Sequence, residues 1–144
     1  MDSLRAETDI KTIEVNDNGD CISFSVIDNN FFQTFYDFIV WMESQEDVIA
    51  NMAKENESEK KDDLEYIGKI IKSRGDIIKE TCAKIDAIFG EDACKKVFCG
   101  IVPDFYAISD FLEKVTPFIS KYAKERHENI VLKYNKNRKG ARSK

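Results

Sequence analysis

Histidine, proline and long apolar runs are almost missing from this sequence. With His127 as the sole histidine, little room is left for an imidazole-based triad or a histidine-rich metal site. The chain has no Gly-rich phosphate loop, no G-x-S-x-G elbow and no H-E-x-x-H pair. No apolar stretch approaches the roughly 20 residues that a membrane helix needs. The start, Met1-Asp2-Ser3-Leu4-Arg5-Ala6-Glu7, lacks a basic segment followed by an apolar one, so the protein is expected to stay in the cytoplasm of the cell that makes it. Two prolines and six glycines in 144 residues argue against a disordered chain and for long helices.

What is present points to a core. Ten Phe, five Tyr and one Trp supply its volume, and the length suits one domain. Charge is unevenly placed. Residues 133–144 hold six Lys or Arg and no acid, while residues 1–132 hold sixteen basic and twenty-seven acidic residues, a net −11 inside an overall −5. The acidic body disfavours nucleic acid, whereas the basic end suits phosphate or an acidic partner. The expected organisation is a single helical domain over 1–135 with an N-terminal β-hairpin, then a basic, disordered tail over 136–144.

The hairpin is read from "IKTIEVNDNGDCISFSVI", residues 10–27. A two-residue type I′ turn at Asn18-Gly19 would set Val15 against Ile22 and Ile13 against Phe24. A longer turn through Asn16 to Asp20 would change that register. With the two-residue turn one face is apolar, and Glu14, Asn16, Cys21 and Ser23 occupy the other.

Three long helices and a short connector follow, giving an α+β, mostly α fold. Asn30 with Gln33 resembles a capping box. Phe31, Phe35, Phe38, Met42, Ile49 and Met52 then recur at helical spacing, widened by Phe32 and Ile39, with Trp41 off the stripe. The polar segment "KENESEKKDD", residues 54–63, marks a break or loop, and Asp62 with Glu65 would cap the next helix. There Leu64, Ile71, Ile78 and Ile85 repeat at seven, filled in by Ile67, Ile88 and Phe89. Gly68, Gly75 and Cys82 form a parallel small-residue row that would admit a close neighbouring helix. Arg74-Gly75-Asp76 spells an adhesion tripeptide, but it lies within this helical pattern. From Asp104, a cap after Pro103, the last helix carries Ile108, Leu112, Val115, Ile119 and Tyr122, and Pro117 is expected to bend or break it.

Between these helices lies "FGEDACKKVFCGIVPD", residues 89–104. Gly90 suits a helix end, and Ala93, Cys94, Val97, Phe98 and Ile101 form the apolar side of a short helix closed by Gly100 and Pro103. Zinc is not favoured. Cys21, Cys82, Cys94, Cys99 and His127 contain no close C-x₂₋₄-C pair, and Cys94 and Cys99 diverge by about 140° on a helix. There is no C-x-x-C redox motif, intracellular thiols are expected to be reduced, and acids Glu91 and Asp92 offset Lys95 and Lys96 around Cys94. No cofactor, metal or enzymatic activity is expected.

"IEVNDNGDCISFSVIDNNFFQTFYDFIVWMES" (14–44), "IDAIFGEDACKKVFCGIVPD" (85–104) and "YNKNRKGARS" (134–143) resemble a family of small tail-module proteins of phages and prophages of Gram-positive bacteria. The resemblance implies a tail assembly chaperone that binds the tape-measure protein before the tail tube polymerises, with the tail tube protein a further partner and homo-oligomers admissible. It also implies glycine directly after Phe98, where this chain has Cys99 and then Gly100. Contact residues expected on this reading are Phe31, Phe35, Trp41 and Met42, of which Phe31 and Phe35 also fit the core, together with Arg138, Lys139 and Arg142. The competing expectations are a phage regulatory or nucleic-acid-binding protein acting through the basic end, and a small structural or host-targeting interaction protein.

Overall fold

The computed structural model describes residues 1–55 and 64–142, the side chains of 49, 52–55 and 137–142 excepted. In chain order it holds β1 (Ile10–Glu14), β2 (Cys21–Ser25), α1 (Asn29–Glu55), α2 (Leu64–Phe89), α3 (Ala93–Val97) and α4 (Phe105–Arg142). This is an α+β fold dominated by helix, with a two-stranded antiparallel hairpin laid on three long helices and a short connector.

The hairpin uses the longer turn. Its register pairs Ile13 with Ile22 and Glu14 with Cys21, not Val15 with Ile22. Asn16 accounts for the difference: its Oδ1 accepts the amides of Asn18 (2.8 Å) and Asp20 (3.3 Å), building a side-chain turn ahead of Gly19 at φ 85°. A shift of two residues preserves the alternation of faces, so Ile22 and Phe24 still point inward and are buried.

At the start of α1 the cap is Asp28 rather than Asn30: its Oδ1 accepts the Phe31 amide at 3.2 Å. Gln33 does not reach back to the helix start, but donates forward to Asp37 at 3.0 Å. Phe31, Phe35, Phe38 and Met42 are buried as their spacing predicts, whereas Ile49 and Met52 lie outside the described side chains. The polar segment's residues 56–63, and with them the proposed Asp62 cap, also lie outside the described residues.

Phe89, at the end of α2, joins the layers. Its ring meets Phe31 at 5.8 Å, Phe35 at 6.2 Å and Phe111 of α4 at 6.0 Å, all edge-to-face. Phe24 stacks on Phe31 at 4.7 Å, which fastens the hairpin to α1. Ile22, Thr81, Ile85 and Ile108 are almost wholly excluded from solvent, and Thr81 satisfies its hydroxyl by donating to the Ile77 carbonyl at 2.6 Å.

Three further expectations change. The Gly68 and Gly75 row admits no close neighbour: a Cβ added at either would meet nothing within 4 Å among the described contacts. Leu64, Ile67 and Ile71 on the same half of α2 are exposed. Pro117 does not end α4, which runs through it. The helix α4 continues over the basic end to Arg142. Arg74-Gly75-Asp76 is helical within α2 and offers no extended loop.

Candidate functional site

The hairpin, the end of α3 and the first half of α4 enclose an open cleft of about 470 Å³. Ile13, Val15 and Ile22 form one wall, Val97 and Phe98 the floor, and Phe111, Val115 and Phe118 the other wall. Hairpin alternation aims Ile13 and Val15 at the same side, and the helical steps 111, 115 and 118 put three apolar residues on one stripe of α4.

Side-chain hydrogen bonds hold these walls. Asn16 Nδ2 donates to the Lys96 carbonyl at 2.9 Å and to Asp20 Oδ2 at 2.8 Å, which ties the hairpin turn to α3. Asp104 Oδ1 accepts the Ala107 amide at 2.8 Å, a cap that fixes the start of α4 as the sequence suggests. Between them, Cys99 (φ 53°) and Gly100 (φ 79°) turn the chain out of α3, with the Gly100 amide donating to the Lys95 carbonyl at 2.8 Å.

The cleft is apolar, with charge at its edge. Lys114 and Asp110 pair at 2.9 Å, and that hydrogen bond raises the lysine pKa from its ordinary value. Phe118 at the edge is 47% exposed, and Ile101 and Val102 ahead of α4 and Tyr106 in its first turn are exposed as well. Ile101 therefore does not belong to the buried side of α3, because the chain turns away from the core at Cys99 and Gly100.

The expected contact residues separate into three groups. Phe31, Phe35 and Met42 are buried and pack in the core, so a partner reaches them only by opening it. Trp41 is half-buried, with Lys84 Nζ 5.0 Å from its ring centroid and Phe38 6.2 Å away, so it closes the edge between α1 and α2. Arg138, Lys139 and Arg142 fall on the C-terminal end of α4, and their side chains lie outside the described residues. His127 is on the exposed part of the same helix.

Sequence reasoning missed two groups. Phe111 and Phe118 were hidden because α4 was read by its 108, 112, 115 and 119 stripe; the adjacent 111 and 118 step carries the signal. The second is Cys82 with Cys94, whose Sγ atoms lie 3.0 Å apart. Cys94 is buried, and its amide donates to Asp86 Oδ1 at 2.9 Å, so a carboxylate from α2 caps α3. Burial above all, then the Cys82 hydrogen bond, pushes the Cys94 thiol pKa well up. Among the described residues no group of three or more His, Cys, Asp or Glu is placed to hold a metal ion, and no helix is long and apolar enough to cross a membrane.

Fold and cleft together define a small, mostly helical α+β protein with an open apolar groove beside an N-terminal hairpin. The chain belongs to the DUF6673 family, a family of unknown function, which it matches over residues 18–144. That span takes in β2, every helix and most of the cleft lining. No curated protein and no solved structure matches the chain.

Proposed function

We propose that the protein is a non-enzymatic tail assembly chaperone of a phage or prophage, which acts in the host cytoplasm by holding apolar helical segments of the tape-measure protein before the tail tube forms. The observation that supports this reading is the cleft, whose apolar lining includes the exposed Phe118. A groove of this kind suits an amphipathic helix presenting apolar side chains one turn apart. Phe118 and Phe111 take the place of Phe31 and Phe35 as the residues that meet such a helix.

The test is co-expression with the tape-measure protein encoded nearby, and with the tail tube protein in a parallel arm. The expected result is that the tape-measure protein stays soluble and co-purifies, and that Phe118→Asp reduces the co-purified amount by at least about tenfold. Failure of the wild-type protein to retain either partner rejects the proposal.

A second reading is favoured by one observation, the six Lys or Arg between residues 133 and 144, five of which, Lys133 to Arg142, fall on the C-terminal end of α4. Here the basic end binds nucleic acid. Affinity for an oligonucleotide would then fall steeply between 50 and 200 mM salt, by about 10³-fold for some six phosphate contacts, and would vanish on removal of residues 136–144.

A further inference from the structure

The Cys82 and Cys94 thiols bring together two nucleophiles that neither the groove nor the basic end uses. They sit on different elements, α2 and α3, and the reversal between those elements at Gly90 (φ 111°) and Asp92 (φ 61°) places them side by side. At 3.0 Å the sulfurs are inside ordinary non-bonded contact, and about 1 Å of approach separates them from a covalent bond. Both surrounding anchors are fixed: the Cys94 amide is held by Asp86, and the Gly90 amide donates to the Asp86 carbonyl at 2.9 Å. Neither remaining cysteine joins them. Cys21 is on the hairpin with its thiol against the Gly19 carbonyl, and Cys99 is exposed beyond α3.

We propose that Cys82 and Cys94 form an oxidation site that closes to a disulfide on reaction with a low-molecular-weight disulfide, clamping α3 to α2. Cys82 is the half-buried and more accessible partner, and Cys94 is the buried one. The Cys82 thiolate attacks one sulfur of the small disulfide, whose S–S bond breaks and releases one thiol after protonation. Cys94, giving up its proton, then attacks the Cys82 sulfur and expels the second small thiol. Two protein thiols are oxidised by two electrons, and one small disulfide is reduced to two thiols. Because Val97 and Phe98 at the end of α3 form the floor of the cleft, the bond fixes that floor to α2.

The test treats the full chain with glutathione disulfide, blocks remaining thiols with iodoacetamide and digests with trypsin. The expected product joins the peptides spanning 80–84 and 85–95, with a mass two hydrogens below their sum and no retained glutathione. A Cys21→Ser/Cys99→Ser chain, checked for native helicity, should go from two titratable thiols to none. Its Tm should rise by roughly 5–10 °C, as expected when a bond closes a short loop. Dithiothreitol should reverse both changes. Persistence of iodoacetamide-labelled Cys82 and Cys94, a stable glutathione adduct on Cys82, or a cross-link through Cys99 would overturn the proposal. A bond formed without a rise in Tm would overturn the clamp.

Discussion

The two halves of α2 carry one repeat and meet opposite fates. Ile78 and Ile85 are buried with the aromatic cluster around Phe89, while Leu64 and Ile71, fourteen and seven residues before Ile78, are exposed. Helical period fixes which face is apolar, but the face is buried only along the length where other elements lie over it. α1, β2 and α3 pack on α2, and Phe111 of α4 meets Phe89 at its end, whereas Leu64 and Ile71 are exposed among the described residues. Stability should therefore be concentrated in one half of the molecule.

Substitution at matching points of the repeat gives the sharpest contrast. Ile85→Ala should cost about 2–5 kcal/mol in urea unfolding, because it removes buried methylenes and leaves a cavity. Ile71→Ala should stay within about 0.5 kcal/mol, and equal losses at the two positions would break the comparison. Next in size is Asn16→Ala, which removes the bond to the Lys96 carbonyl and the support of the hairpin turn. A loss of about 1–2 kcal/mol is expected, read as a lower midpoint at unchanged m. The smallest effect has the opposite sign. Cys99→Gly should stabilise by up to about 1 kcal/mol, since φ 53° is a conformation that glycine adopts freely and a side chain resists.

The thiols sharpen the same contrast without any mutation. At pH 8, iodoacetamide should label exposed Cys99 readily and Cys94 slowly, because burial and the Cys82 contact hold the Cys94 proton. In urea the two rates should converge. Rapid native labelling of Cys94 would show that the α2–α3 corner opens far more easily than its packing suggests.

Much of the covered half was legible in the sequence. Ile22, Phe24, Phe31, Phe35, Phe38 and Met42 are buried as alternation and helical spacing require, and Asp104 caps α4. The misses were of two kinds. Close competitors misled where neighbouring residues offered the same chemistry: Asp28 rather than Asn30 caps α1, and the Asn16 side chain displaces the Asn18-Gly19 turn. Tertiary placement was invisible to any local pattern. Nothing in the spacing of Cys82 and Cys94 reveals that a reversal at Gly90 sets their sulfurs together, and the cleft depends on the hairpin meeting α4 across ninety residues of chain. Cys99 holds a left-handed backbone at φ 53°, a conformation that glycine adopts more readily, and no local pattern signals it.

The unbroken passage of α4 through Pro117 has a consequence for long-range forces. At 1.5 Å per residue, the helix carries the basic cluster from about 15 to 30 Å beyond Tyr122, the last core-contacting aromatic on α4. At physiological salt that is about two to four Debye lengths, so the positive end and the acidic body screen each other poorly as a pair and act as separate poles. An approaching macromolecule would meet a molecule with a direction. Its orientation on encounter would follow that charge separation before any side chain touched, and added salt would weaken the preference.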